Sequence, residues 1–271
     1  MRLLLSPKDP LHPGREDKID STALAVAYAY PRLSATQTWV RANMVSSLDG
    51  AATGENGRSS SINTGADRDV YGLLRALADV ILVGAGTARV EGYRRATTRV
   101  PWLDLRDGRP AHPTTAVVSR SGNVPPLVSQ ARDSSGEVLL ITCTQAGEEA
   151  IDLARKQLGE DQVVVEGQEN VDLGAALDAL SRRGMQRILC EGGPHLLRDL
   201  TASGRLDELC MTLAPRIVAG DHPRITAGDP VAADLVPVML IESEGSLLGR
   251  WVTPQGRHAM AAAVRSTEAG H

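Results

Sequence analysis

Short apolar segments rich in β-branched residues alternate with segments of helical periodicity along most of the chain. The helix predicted over residues 66–79 places Val70, Leu73, Leu74 and Leu77 on one face at i, i+3, i+4 and i+7. Strands are predicted at 38–47, 80–83, 114–119, 138–143, 162–165 and 186–190, and further helices at 148–158 and 172–183. This alternation predicts an α/β fold with a mostly parallel central sheet and helices on both faces.

The two ends of the chain follow a different pattern. Residues 207–218 and 236–254 are predicted to be long strands without a helix between them, and we expect them to join the sheet edge as an antiparallel addition. Residues 1–36 are irregular and Pro-rich, with a short helix predicted around 22–30, and are interpreted as an extension packed on the domain. The domain itself is predicted to span 37–255, and residues 256–271 to form a frayed tail.

Two glycine-containing turns each join a predicted strand to a predicted helix. They are Gly-Ala-Gly-Thr at 84–87 and Glu-Gly-Gly-Pro at 191–194. Glycines at such turns let backbone N–H groups approach a phosphate, and the dipole of the following helix favours its negative charge. Either turn alone also fits an ordinary strand-to-helix connection. Together they favour a cofactor whose phosphates lie across neighbouring strand ends, with Glu191 pointing into the same crevice.

Composition narrows the classes of ligand and location. A net charge of −4 over 271 residues gives no electrostatic reason to expect a nucleic-acid or membrane partner. The three cysteines are widely spaced and are predicted to be buried, reduced thiols. No Cys-x-x-Cys or His-x-Glu pair occurs, so no metal is expected. The sequence has no signal-like segment and no run of about 18 apolar residues, which predicts a cytoplasmic protein.

Five short motifs occur in a fixed order along the chain. They are Ser-Leu-Asp-Gly at 47–50, Ser-Ser-Ser-Ile-Asn at 59–63, Leu-Leu-Arg at 73–75, and the two glycine turns. In this order the chain resembles the reductase domain of riboflavin biosynthesis, the RibD C-terminal family with its dihydrofolate-reductase-like fold, here without the deaminase domain of bifunctional relatives. The resemblance implies a homodimer that uses NADPH to reduce a ribosylaminopyrimidine 5′-phosphate to its ribitylamino form.

The resemblance also implies roles for individual residues. Cofactor contacts are implied for Val45, Ser61, Gly84, Gly86, Thr87, Glu91, Ser119, Arg120, Ser121, Gly192, Gly193, Pro194, His195, Leu196 and Leu197. Substrate contacts are implied for Asp49, Ser59, Arg75 and Glu191. Arg75 is expected at the phosphate and Glu191 at the pyrimidine ring, at opposite ends of one substrate. Glu91 is the expected proton-transfer residue, and Asn43 is expected to orient the reacting groups.

Residue types alone leave other roles open for several of these positions. Val45 also suits a plain core position, Ser59 and Ser61 a polar loop, and Arg75 and Arg120 a solvated surface.

Three positions depart from the family pattern and leave the substrate open. Asn43 stands where bacterial reductases commonly have lysine, and resembles the archaeal and fungal diaminopyrimidine reductases. Glu91 stands for the family aspartate, and Ser61 for a common aromatic residue. Two alternative hypotheses therefore stay open: a reductase of dihydropterin or dihydrofolate, and a non-catalytic NADPH-binding homologue.

Overall fold

The computed structural model describes residues 1–5, 19–130 and 134–268. Its strands are β1 (Arg2–Leu5), β2 (Trp39–Ser47), β3 (Val80–Gly84), β4 (Thr114–Val118), β5 (Val138–Thr142), β6 (Val163–Val165), β7 (Arg187–Cys190), β8 (Glu208–Ala214), β9 (Val236–Ser243) and β10 (Ser246–Val252). Its α-helices are α1 (Ser21–Ala27), α2 (Gly65–Leu77), α3 (Ala85–Glu91), α4 (Pro126–Ser129), α5 (Glu148–Leu158), α6 (Leu173–Arg182), α7 (Pro194–Ala202) and α8 (Pro254–Glu268). Short 3-10 turns lie at Ser59–Ser61, Val100–Arg106, Thr144–Ala146 and Glu160–Gln162.

The strands of the described residues form one sheet in the order β1-β9-β10-β8-β2-β7-β3-β4-β5-β6. Seven neighbouring strands run parallel to one another: β8, β2, β7, β3, β4, β5 and β6. Beyond β8 the sheet continues with β10, β9 and β1, each antiparallel to the strand before it. The expected α/β fold, with a mostly parallel sheet and an antiparallel edge, is therefore confirmed. The prediction for β8 is wrong in one respect, because this strand pairs parallel with β2. Helix α7 carries the chain back before β8 begins, and such a crossover permits parallel pairing.

The order of the strands reverses at β2. From β2 the chain builds β3 to β6 on one side, then returns to insert β7 between β2 and β3, and finally adds β8 on the other side of β2. Open parallel sheets bind ligands at the carboxyl ends of their strands where the order reverses. The expected crevice therefore lies at the ends of β8, β2, β7 and β3.

Helices cover both faces of the sheet, as the sequence predicted. Side chains along β3 and β7 alternate between two apolar cores, because successive residues of a strand point to opposite faces. Leu82 and Ile188 pack on the face covered by α6 and α7, whereas Ile81 and Leu189 pack on the face covered by α1 and α2. The sheet is thereby held rigidly from both sides behind the crevice.

The predicted single strand at 236–254 is in fact the β9–β10 hairpin followed by a helix. Glu244 and Gly245 turn the chain with φ values of 55° and 77°, the positive φ at both central positions that two-residue hairpins favour. Thr253 then accepts a hydrogen bond from Gly256 N through its hydroxyl at 3.1 Å, and Pro254 occupies the first turn of α8. The predicted frayed tail is therefore helical as far as Glu268, and residues 269–271 lie outside the described residues.

The N-terminal segment is also more regular than predicted. Arg2–Leu5 forms the outermost strand β1, paired with β9, and was expected to be irregular. The short predicted helix is present as α1, which contributes Leu24, Ala25 and Tyr28 to one core. Residues 6–18 of the predicted Pro-rich segment lie outside the described residues, and residues 29–36 form neither helix nor strand, as expected. The predicted domain boundaries at residues 36 and 255 stay predictions. Outside these boundaries, β1 joins the same sheet and α8 packs beside it.

A buried ion network links β2, β8 and β10. Glu208 on β8 lies beside Arg41 on β2 in parallel register. The Glu208 carboxylate accepts hydrogen bonds from Arg41 Nη2 at 3.0 Å and from Arg250 Nε at 2.6 Å. The indole Nε1 of Trp39 donates a further one at 2.9 Å. The three charged residues are at most 3% exposed, so the carboxylate neutralises one of two buried guanidinium charges.

The same arginines hold the end of α1. Arg41 donates to the carbonyl oxygen of Tyr28 at 2.8 Å, and Arg250 donates to that of Ala27. Guanidinium groups at a helix C-terminus satisfy carbonyl groups that lack partners within the helix. Burial alone would raise the pKa of Glu208, but the charges of Arg250 and Arg41 outweigh it and lower the pKa to about 2.

Candidate active site

A cavity of 440 Å³ opens at the carboxyl ends of β2, β7 and β3. Its size lies within the range of small-molecule sites, about 300–1,000 Å³. The expected site residues among its lining are Asn43, Val45, Ser59, Gly86, Thr87, Glu91, Glu191, Gly193, Pro194 and His195. The structure therefore brings both glycine turns, the β2 strand and the loop before α2 together around one space.

The two glycine turns touch each other along one wall of this cavity. Gly84 N donates to the carbonyl oxygen of Gly192 at 2.8 Å. A Cβ atom on Gly193 would lie 2.2 Å from Thr87 Oγ1, whereas one on Gly86 would meet nothing within 4 Å. A side chain at 193 would therefore force the turns apart or make Thr87 rotate. The space beside Gly86 is open.

Glu191 lies at the cavity wall, and its carboxylate accepts hydrogen bonds from other side chains of the protein. Arg75 binds it with two parallel hydrogen bonds, Nε to Oε1 at 2.7 Å and Nη2 to Oε2 at 2.6 Å. The hydroxyl groups of Tyr71 and Tyr93 donate to Oε2 at 3.0 and 2.7 Å. Four donors occupy about as many lone-pair sites as a carboxylate offers. We call Arg75, Glu191, Tyr71 and Tyr93 the Glu191 cluster.

Arg75 and Glu191 were expected at opposite ends of one substrate; the structure places them against each other, and their contacts with a substrate stay predictions. The two side chains bind each other instead, and Arg75 is not among the cavity-lining residues. Arg75 also stacks over the Tyr71 ring, with its guanidinium carbon 4.3 Å from the centroid. Tyr71 and Tyr93 line the cavity, so the carboxylate of Glu191 holds two aromatic side chains of its wall.

Five polar or aromatic positions of the wall were missed by the sequence analysis: Thr53, Asn63, Asp67, Tyr71 and Tyr93. Asp67, Tyr71 and Arg75 follow one another at i, i+4 and i+8, a spacing that aligns them on one face of α2. The signal was therefore present as a polar row beside the apolar face used to predict the helix.

Glu91 ties the loop before α2 to the cavity. Its Oε1 accepts a hydrogen bond from Ser59 N at 2.8 Å. Ser61 in the same loop does not line the cavity, and its hydroxyl donates to Arg58 O at 2.7 Å. Gly54 packs on that hydroxyl, where a Cβ would come within 2.2 Å of Ser61 Oγ. Ser61 thus holds the loop conformation that presents Ser59.

Asp49 lies outside the cavity and holds the segment that covers it. Its carboxylate accepts hydrogen bonds from Val218 N at 3.2 Å and Ala219 N at 2.7 Å, and from the Ser47 hydroxyl. These hydrogen bonds lower the pKa of Asp49 to about 2, with the largest effect from Ser47. The segment continues to Pro223 and Ala227, which line the cavity. The structure thus gives Asp49 a loop-anchoring position.

Five further expected positions lie beyond the cavity wall. Ser119 to Ser121 follow β4, the neighbour of β3, with Ser119 buried and Arg120 exposed. Within the described residues Arg120 forms no ion pair of 4 Å or less. Leu196 and Leu197 bury their side chains in a core, so a ligand at the start of α7 would meet only their backbone.

The described residues offer no metal-binding group and no membrane-spanning helix. They contain no group of three or more His, Cys, Asp or Glu side chains placed to hold a metal ion. The described helices include none that is long and apolar enough to cross a membrane. Cys143, Cys190 and Cys210 are all free and buried, as predicted.

Known proteins share both the sequence and the fold of this chain. The RibD C-terminal domain matches residues 38–245. The 2,5-diamino-6-ribosylamino-4(3H)-pyrimidinone 5′-phosphate reductase of Archaeoglobus fulgidus is 29% identical over 194 residues, which cover 70% of this chain and 87% of that protein. Its namesake from Methanothermobacter thermautotrophicus is 29% identical over 69% of this chain and 82% of its own.

A solved structure extends the comparison. A pyrimidine reductase-like protein of Corynebacterium diphtheriae is 27% identical and has a TM-score of 0.70, over 85% of this chain and 98% of that one. The family match spans well over half of the residues and includes both glycine turns. The chain belongs to the RibD C-terminal domain family.

Proposed function

We propose that this protein is an NADPH-dependent reductase that converts a ribosylaminopyrimidine 5′-phosphate to its ribitylamino form. One observation carries the proposal. Two glycine turns meet at one wall of a cavity whose other walls carry aromatic and hydrogen-bonding side chains. The names of the archaeal relatives support the same reaction class and a phosphorylated pyrimidine substrate.

The residues at the glycine turns fit a dinucleotide. The open space beside Gly86 admits a ligand against the backbone, and Pro194 and His195 begin a helix of nine residues at the cavity wall. N–H groups in the first turn of such a helix lack intrahelical partners and suit a diphosphate. Gly84, Gly86, Thr87 and the segment 192–197 would hold NADPH, which supplies hydride to C1′ of the ring-opened sugar.

Reduction of that carbon also needs a proton and an oriented sugar. Glu91 lies at the wall and is oriented by Ser59 N, so we assign it to proton transfer, directly or through water. Asn43 at the same wall has both a donor and an acceptor, and we assign it to orienting the reacting groups. Val45 supports the nicotinamide side. Ser59 is assigned to the substrate phosphate, since Arg75 is engaged by Glu191.

The proposed function is tested by measuring NADPH oxidation with the ribosylaminopyrimidine 5′-phosphate and identifying the ribitylamino product by mass spectrometry. Turnover that requires both compounds is expected. Saturable NADPH binding without turnover of any such pyrimidine would overturn the proposal in favour of a non-catalytic binding protein.

Changing Gly193 to alanine is expected to weaken NADPH binding about tenfold, or about 1.4 kcal/mol. The added Cβ would lie 2.2 Å from Thr87 Oγ1, so the two turns must separate or Thr87 must rotate. Fluorescence titration measures the change. Thr87→Ala combined with Gly193→Ala should restore part of the loss, because it removes the clashing oxygen. If the losses of NADPH affinity in the two single variants simply add in the double variant, the packing explanation is contradicted.

Changing Arg120 to alanine is expected to weaken NADPH by about 1–3 kcal/mol, the cost of losing a hydrogen bond to a charged group. The positions 119–121 follow the strand next to β3 and present hydroxyls and a cation, which suits a 2′-phosphate. NADH affinity should stay nearly unchanged. Equal losses for both cofactors in the same titration would argue against this assignment.

The assembly and location are proposed on the resemblance to the family. We assign a homodimer in the cytoplasm, and the buried reduced thiols are compatible with a reducing compartment. Sedimentation equilibrium at micromolar concentration measures the oligomeric state, and fractionation of the source cell measures the location.

A further inference from the structure

Asp67 is a buried carboxyl group on the cavity wall that the proposed reaction does not yet use. It is 3% exposed and lies in the first turn of α2. The hydroxyl of Thr212 on β8 lies beside its carboxyl group, and among the described residues no ion pair of 4 Å or less involves it. Burial raises the pKa of Asp67, and the effects of Thr212 and Arg68 lower it only in part. A carboxyl group in this state has unused acceptor capacity facing the cavity.

Asn63 provides a second unused polar group on the same wall. Its side-chain Oδ1 is buried and has no hydrogen-bond partner. Asn63 precedes Asp67 by four residues, and both line the cavity. Buried polar atoms are nearly always paired in folded proteins, so this pair of side chains points to a polar ligand at that wall.

The wall of Asp67 lies across the cavity from the glycine turns. Asp67 contacts β8, whereas Thr87 follows β3, and β2 and β7 stand between these strands. Three strand spacings of about 4.8 Å separate the two sides by about 14 Å. A dinucleotide held at the turns leaves the Asp67 side free for the second reactant. Tyr71, one helical turn further along α2, offers that reactant an aromatic face.

We propose that Asp67, assisted by Asn63, binds the N3–H and 2-amino groups of a 2-amino-4-oxopyrimidine ring and makes the enzyme selective against the corresponding uracil. This inference rests on the proposed function. An ionised carboxylate only accepts hydrogen bonds, and the 2-amino ring presents two adjacent donors to it in a bidentate arrangement. The uracil presents N3–H beside a 2-oxo acceptor, which a carboxylate repels. The two donors also favour the ionised form of Asp67.

Two kinds of ligand carry the N3–H and 2-amino groups side by side. Both 2,5-diamino-6-ribosylaminopyrimidin-4-one 5′-phosphate and 7,8-dihydrofolate carry this donor pair, so the test includes both with the uracil counterpart of the first. NADPH oxidation gives kcat/KM for each compound. The wild-type enzyme is expected to prefer the ribosylated 2-amino compound to the uracil by at least about tenfold. Turnover of dihydrofolate alone would assign the same edge recognition to a pterin and overturn the proposed function.

Replacing Asp67 by asparagine should reverse this preference. An asparagine accepts from N3–H and donates to the 2-oxo group, so it matches the uracil edge. We expect kcat/KM for the 2-amino compound to fall at least tenfold while that for the uracil holds or rises. Asp69→Asn is the matched control, because it removes the same charge from an exposed position of α2 and should leave the preference unchanged.

Two results would overturn the assignment of Asp67. One is a wild-type enzyme that turns over both ribosylated pyrimidines equally well, a measurement that needs no variant. The other is a folded Asp67→Asn enzyme, verified by circular dichroism and intact NADPH affinity, whose preference matches that of Asp69→Asn. Failure of the proposed function is distinct from both, since no ribosylaminopyrimidine would then be turned over by any of the proteins.

Discussion

Replacing Glu208 by alanine is expected to lower the free energy of unfolding by about 3–5 kcal/mol, because it leaves two buried guanidinium groups without a counter-charge. Arg41 and Arg250 would keep hydrogen bonds only to neutral carbonyl groups near the end of α1. Urea denaturation followed by circular dichroism measures the effect. This loss is a large part of the roughly 5–15 kcal/mol that stabilises a typical domain.

The matched control is Asp152→Ala, which breaks an exposed ion pair with Arg155. Exposed pairs contribute about 0–1 kcal/mol, so this variant should unfold close to the wild-type midpoint. Similar losses for the two variants would show that burial of the network adds nothing to its stability.

The carboxylate of Glu208 also makes the free energy of unfolding depend on pH in acid. The folded pKa of Glu208, about 2, lies below the value near 4.3 of an unfolded chain. Its contribution is therefore fully present above about pH 4.5 and is lost as the pH falls toward 2. The difference in unfolding free energy between wild type and Glu208→Gln should shrink across that interval. A difference independent of pH would contradict an ionised Glu208 in the folded protein.

Replacing Glu191 by alanine is the change expected to affect activity most. It removes all four hydrogen bonds of the Glu191 cluster and releases the two phenol rings that line the cavity. We expect kcat/KM for the pyrimidine to fall by at least about tenfold, or about 1.4 kcal/mol. We also expect a loss of about 3 kcal/mol in stability, because Arg75 is left largely buried without its partner. NADPH affinity should change little.

Phenylalanine variants separate positioning from direct substrate contact. Tyr71→Phe and Tyr93→Phe each remove one hydrogen bond to Glu191 and keep the ring. If Glu191 acts by positioning, each variant should reproduce part of the loss in kcat/KM. If both phenylalanine enzymes match wild type while Glu191→Gln is impaired, Glu191 must contact the substrate itself, as the resemblance first implied.

The parallel core of the fold could be predicted because its signals are local. Strands β3 to β7 are short apolar runs, and α2, α5 and α6 carry helical periodicity. The hairpin at Glu244 and Gly245 was missed because apolar residues continue on both sides of a two-residue turn. Strand β1 was missed because four residues carry too little pattern, and its pairing with β9 is set by tertiary contact.

The site was predictable where the backbone carries the signal, and less so where side chains choose among partners. Both glycine turns were placed correctly at one cavity. The partner of Glu191 was not predictable, because a guanidinium fork binds a substrate phosphate and a neighbouring carboxylate equally well. Only the packing of α2 beside the end of β7 decides between them. Asp67 shows the same limit, since its burial depends on β8, far away in the chain.

The pairing of β2 with β8 has a consequence for how the chain folds. Arg41 and Glu208 are 167 residues apart in sequence, yet they are neighbours at the centre of the sheet. Contacts of such separation raise the contact order and slow folding, since a long loop must close before they form. During synthesis β2 therefore stays without its β8 partner until the chain has been made as far as β8. Until then its β8-facing edge lacks a pairing strand, and an unpaired strand edge of this kind is prone to aggregate.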